Sequence, residues 1–174
     1  MQIFQDSNGY DAKGLLKQAI RYEEDPVIFM ESEVMYGDKS DIPDEEYYIP
    51  LGKADVKRQG RDVTIVSYNK MMKIALGAAS ELEKEGISAM VVNNHTIKPI
   101  DVTTIISAAK KCGAVVTLEE HQVMAGCGSA VCEVLAMNYP VPVEMVGMPN
   151  CFGESGQPNE LIEKFGMGKD HIIE

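Results

Sequence analysis

The chain has 174 residues, 45% of them hydrophobic and 25% charged, which is enough apolar material for one solid core and too little chain for two large domains. Sixteen Lys and Arg against twenty-seven Asp and Glu leave a net charge of −11, arguing against nucleic acid and anionic membranes as main partners. No apolar run nears the roughly 20 residues of a membrane-spanning helix, and the acidic start MQIFQDSNGYDAKG lacks the basic region and apolar stretch of a secretory signal. The four cysteines (112, 127, 132, 151) form no CxxC pair, so they read as reduced, mostly buried small apolar residues of a cytoplasmic protein.

In chain order, YDAKGLLKQAIRYEE reads as a helix and VIFM (27–30) as a fully apolar strand of the kind found in the middle of a sheet. Residues 37–60 are polar, broken by Gly and Pro, and read as a linker. From Arg61 the pattern alternates: strand 62–68, helix about 70–85 stopped at Gly86, and strand 87–94. Asp101 then caps a helix that ends at Gly113, followed by strand 113–121, helix 124–139 and strand 141–148. Two short helical pieces, PNELIEKFG and GKDHIIE, close the chain. Strand and helix at this spacing predict βαβ units, hence a three-layer α/β/α domain around a mostly parallel sheet over 61–174. One helix and one strand before the linker cannot bury their own apolar faces. That arm either lies on the 61–174 domain or belongs to a domain completed elsewhere.

Two stretches carry a family resemblance. YDAKGLLKQAIRYEEDPVIFMESEVMYG, with EEYYIPLGKADVKRQGRDVTIVSY, resembles the β subunit of 2-oxoacid dehydrogenase E1 components acting on pyruvate or branched-chain substrates. NNHTIKPID, VTLEEHQVMAGCGSAVCEVL and GMPNCFGESGQPNELIEKFG resemble the C-terminal domain of transketolases. Residues 1–75 lean to the first branch and 76–174 to the second, both within the thiamine-diphosphate-dependent transketolase superfamily. The resemblance implies a remnant of a pyrimidine-binding domain at 1–36, a linker at 37–60 and a transketolase C-terminal-like domain at 61–174. It implies thiamine diphosphate and magnesium in the complete assembly and none in this chain alone, because no GDG-type magnesium motif is present and the cofactor-activating glutamate would lie upstream. It also implies a homodimer, together with an E1α-like or N-terminal transketolase partner subunit.

Candidate site residues follow. Glu119 and His121, at a strand's carboxyl end before the small-residue turn AGCGSA, and His95 after another strand, are carboxylate and imidazole candidates for proton transfer, with structural roles as the alternative. Ala125, Gly126, Gly128, Ser129 and Ala130 allow close packing of the next helix on its sheet or on another subunit. His121, Cys127 and Cys132 make a poor metal set, since a spacing of five places the cysteines about 140° apart on a helix. The turn AIRYEEDP resembles a potassium site of E1β subunits, with Ala19, Ile20, Glu23 and Asp25 as ligands, against the alternative of an acidic solvated turn. The resemblance places Glu31, Glu33 and Tyr36 at the substrate cleft, where the missing arginine favours an oxoacid over a phosphosugar. Two functions stand: part of an enzyme that cleaves a carbon–carbon bond beside a carbonyl, or an oligomerisation domain with no active site.

Overall fold

The computed structural model describes all of residues 1–174. Its main sheet has five strands in the order β3-β5-β4-β7-β8, namely Asp55–Arg58, Ala89–Asn93, Val63–Ser67, Val115–Gln122 and Val143–Met148. β4, β5, β7 and β8 are parallel; β3 runs antiparallel along one edge. The central strands are buried from end to end, which is why VTIVS and AMVVN read as continuous runs rather than alternating ones. On one face α2 (Met71–Lys84) packs with α6 (Lys169–Ile173), burying Ile65, Met72, Ala79, Leu82, Val91 and Ile172. On the other, α3 (Val102–Cys112) and α4 (Cys127–Asn138) cover Val66, Val92, Ile105, Val131 and Leu135. The remaining helix, α5 (Pro158–Lys164), adds Ile162 to the first cluster.

Local signals account for the element ends. The Asp101 carboxylate accepts from Thr104 N–H at 3.1 Å and from Ala54 N–H at 2.9 Å, so one side chain caps α3 and ties down the entry to β3. Gly113 ends α3 at φ 78°, a left-handed conformation that favours glycine. Gly60 is buried where a Cβ would run into the Met90 amide, so the turn between β3 and β4 can pass β5 only without a side chain.

Three differences from the sequence reading concern the first 60 residues. Gln2–Gln5 forms a strand, β1, missed because QIFQ is only four residues long with glutamine at each end. It lies between β2 (Val27–Met30), to which it is parallel, and β6 (Thr96–Lys98), to which it is antiparallel. VIFM therefore sits at a sheet edge, not in its middle, and alternates in burial, with Ile28 and Met30 facing solvent at 42% and 45% exposure. The stretch read as linker contributes β3, and its residues 43–49 lie along α1 (Gly9–Ile20). There Tyr47 stacks on Tyr10 with ring centroids 4.4 Å apart, and Ile49 N–H reaches the Gly14 carbonyl.

The arm is joined to the main domain by more than β6. The Asp11 carboxylate, 1% exposed, accepts from Asn93 Nδ2 at 2.9 Å, Lys57 Nζ at 3.2 Å and Asn8 Nδ2 at 3.1 Å. Ser7 Oγ donates to Asn93 Oδ1 at 3.0 Å. Burial pulls the Lys57 ammonium down, but Asp55 and Asp11 outweigh it and hold its pKa above the ordinary lysine value. The arm thus lies on the domain, while the outer face of its own sheet stays open.

Candidate functional site

Four strands, β1 and β2 of the small sheet and β4 and β7 of the main one, end on one cleft of about 190 Å³. β1 and β2 bring Gln5, Glu31 and Ser32; β4 leads into Tyr68, Asn69 and Lys70; β7 brings Glu120 and His121. Open α/β folds place ligands outside the carboxyl ends of their strands. Asn69 makes the sharp turn into α2 at φ 54°, a left-handed conformation asparagine tolerates, and its Oδ1 accepts the Lys70 N–H at 2.5 Å. That turn directs the Lys70 ammonium to Glu120 Oε1, 2.5 Å away.

The expected pair of Glu119 and His121 does not act as one unit, and Glu120 between them points to Lys70. Glu119, 1% exposed, accepts from the N–H groups of Cys127 and Gly128 at 2.8 Å each and from the Tyr68 hydroxyl at 3.3 Å. A carboxylate from β7 thereby fills the amino terminus of α4, where dipole and free N–H groups favour an anion. Burial and the Glu119 charge push the Tyr68 phenol far above the ordinary tyrosine range, and the same two causes push the Cys127 thiol up to about 12. His121 Nδ1 is 4.0 Å from Glu119 Oε2, too long for a hydrogen bond, and 2.9 Å from the Gln122 carbonyl. A register shift in the β7–β8 ladder between Leu118 and Gln122 accompanies this change of direction.

The small residues of AGCGSA serve the α4–sheet contact. A Cβ on Gly126 would strike the Glu119 carboxylate, and one on Gly128 would come within 2.5 Å of Thr117 Oγ1. Ser129 Oγ donates to the Val123 carbonyl and accepts from Ala125 N–H, both at 2.9 Å.

His95 does not share the cleft with His121. It is 2% exposed between β5 and β6, and neither ring nitrogen has a hydrogen-bond partner. Burial holds its pKa below the ordinary histidine value against the pull of Asp11. Glu31 lines the cleft and accepts from the Tyr36 hydroxyl at 3.2 Å, which raises the tyrosine pKa; Glu33 opens the exposed 3₁₀ turn Glu33–Met35 just outside. At the α1 carboxyl end the Ala19 carbonyl accepts from Tyr22 N–H at 3.3 Å, and Ile20 is 72% exposed. Asp25 is paired with the Met1 ammonium at 3.5 Å and accepts from Gln2 Nε2 at 3.1 Å, while Glu23 is exposed. No three His, Cys, Asp or Glu side chains converge to hold a metal, there or at His121, Cys127 and Cys132. The Cys127 thiol faces Asn94 and that of Cys132 faces Met145. Only Cys127 of the four cysteines is fully buried; Cys151 is exposed.

Sequence reasoning missed Tyr68, Asn69 and Lys70, although the strand-ending Y-N-K, with an asparagine suited to a left-handed turn, was the available signal. It also missed Asp11, whose partners are up to 82 positions away.

A domain of this topology, with an antiparallel edge strand and a glycine-flanked helix amino terminus closed by a glutamate, defines a class. Residues 52–172 match the family model "Transketolase, C-terminal domain", and the chain belongs to that family. Among curated proteins it is similar to the pyruvate dehydrogenase E1 component subunit beta of Bacillus subtilis (strain 168), 44% identical over 149 residues, covering 83% of this chain and 46% of the relative. It is also similar to the mitochondrial subunit beta of Pisum sativum, at 42% over 136 residues, with 76% and 38% covered. Among solved structures, a split-gene transketolase in the form of an inactive β4 tetramer superposes with TM-score 0.85 at 39% identity, over 99% of this chain and 55% of that one. A transketolase variant from Pichia stipitis, at 16% identity and TM-score 0.65, shares the fold. The chain spans less than half the length of these curated relatives.

Proposed function

We propose that the chain works as the C-terminal portion of an E1β- or transketolase-type subunit, contributing to dimerisation and to the assembly of an active site it does not complete. The observation that carries this reading is the open face of the β2-β1-β6 sheet. α1 covers one side, burying Phe4, Leu15 and Ala19, whereas Ile28 and Met30 remain in solvent along an unpaired edge strand. A layer built to be covered on both faces is left half finished, and edge strands of this kind recruit partners. The occupants this reading favours are a second copy of the chain and an E1α-like or N-terminal transketolase subunit.

Complete enzymes of this family depend on thiamine diphosphate. The residues of this chain do not fit the diphosphate–magnesium end of that cofactor. The α4 amino terminus, flanked by Gly126 and Gly128, already holds the Glu119 carboxylate, and no acidic cluster is placed to bind a divalent ion. In the proposed assembly the chain supplies the wall formed by Glu31, Lys70, Glu120 and His121, with a 2-oxoacid as the favoured substrate. Isothermal titration with thiamine diphosphate and magnesium tests this. The expected result is no binding by the chain alone and binding once a candidate partner subunit is added; cofactor-dependent turnover by the purified chain alone would overturn it.

A further inference from the structure

A second cleft, of about 450 Å³, opens beside the first between the 3₁₀ turn, the first turn of α2 and the start of α5, and the two share only Lys70. Its size is that of a small-molecule site. Val34, Ile74 and Ile162 give it an apolar lining, and Lys70, Lys73 and Asp38 line it as well. Lys70 and Lys73 each have a carboxylate partner, Glu120 and Asp38, so the cleft offers a cation to a ligand only by opening one of these pairs. Val34, 56% exposed at the rim, is a branched aliphatic side chain held in water by a three-residue turn.

Lys73 is ion-paired with Asp38, but its side chain is 60% exposed and that of Asp38 is 38% exposed. Pairs this open contribute little to stability, so an incoming anion can take the Lys73 ammonium from Asp38 at small cost. Lys70 is different: at 13% side-chain exposure and 2.5 Å from Glu120, it stays with its own partner. A bare inorganic anion would satisfy Lys73 and leave Val34 and Ile74 wet. An apolar molecule would cover that lining and leave the Lys73 ammonium where it is.

We propose that this cleft binds a small organic monocarboxylate with a compact apolar body. Its carboxylate sits on Lys73, beside Lys70, and its body lies against Val34, Ile74 and Ile162. The inference does not depend on the assembly proposed above, because every residue it uses lies in this chain.

The test is a titration of the full chain, with its Val and Ile methyl groups isotopically labelled, using isovalerate, acetate and inorganic phosphate as probes at matched ionic strength. Isovalerate is expected to shift the Val34 and Ile74 methyl signals saturably, with acetate about tenfold weaker or more for want of the aliphatic body. Lys73→Met should weaken isovalerate about tenfold, the equivalent of one charge-assisted hydrogen bond. Should that variant fail to fold, Val34→Ser on the exposed turn gives the second arm: it should weaken isovalerate and leave acetate unchanged. Phosphate or acetate binding as tightly as isovalerate, affinity untouched by either substitution, or no saturable shift up to about 50 mM would each overturn the proposal.

Discussion

Replacing Asp11 with alanine should detach the arm from the domain without touching either hydrophobic cluster. The Asp11 carboxylate is 1% exposed and accepts three side-chain hydrogen bonds, from Asn8, Lys57 and Asn93. Breaking a buried ion pair from one side costs about 3–5 kcal/mol when the abandoned charge has no other partner. Lys57 does have one, Asp55 at 2.6 Å, and is itself 21% exposed, so its share is reduced. Asn93 is fully buried and loses an acceptor, a penalty of about 1–3 kcal/mol. Together these give about 2–3 kcal/mol for Asp11→Ala, or about 4–12 °C in Tm for a chain of this size. Asp11→Asn, which keeps a carbonyl acceptor and the volume, should cost less than the alanine variant. The assay is urea unfolding followed by circular dichroism, with limited proteolysis in parallel: in the alanine variant, cleavage within residues 20–54 should become faster while 87–147 stays protected. A loss below about 0.5 kcal/mol with unchanged proteolysis would show that the buried network does not hold the arm.

Glu119→Ala should cost about 2–3 kcal/mol, because two helix N–H groups and the Tyr68 hydroxyl lose a buried acceptor, and Glu119→Gln should recover part of it; thermal melts of the three proteins decide this. Gly60→Ala should cost about 3 kcal/mol, since the new methyl group meets backbone that cannot move, and denaturant titration measures it. His95 is held neutral by burial, so its folded pKa lies below the unfolded value of about 6.5; the stability it contributes is complete above that pH and is lost as pH falls from there towards the folded pKa. Melting temperatures between pH 7.5 and 5 should therefore fall more steeply for the native chain than for His95→Gln. Ala130→Glu, on a half-buried position of α4, should split the proposed dimer while leaving the helical signal intact, read by sedimentation; a native chain running as a 19.1 kDa species at tens of micromolar would count against the dimer.

Much of the main domain was legible because its information is local. VTIVSY and ISAMVVNN are apolar from end to end, and that pattern suits a strand buried on both faces. Asp101 and Gly113 bound α3 through contacts reaching only a few residues along the chain, and the structure keeps both. The same sequence held no statement of β1, because four residues with glutamine at both ends become a strand only once β2 and β6 lie on either side to take their hydrogen bonds. Nor did it state the roles of the polar residues. Glu119, Glu120 and His121 are adjacent in sequence, yet the fold sends the first inward to close a helix, gives the second to Lys70 and leaves the third in solvent. Asp11 and Asn93 are 82 positions apart and carry no mark of each other until the arm is laid on the sheet. Periodicity and caps are written along the chain and determined the α/β class and most element ends. Burial of a charge is decided by what arrives from elsewhere, so the cleft and the docking of the arm belong to the tertiary structure alone.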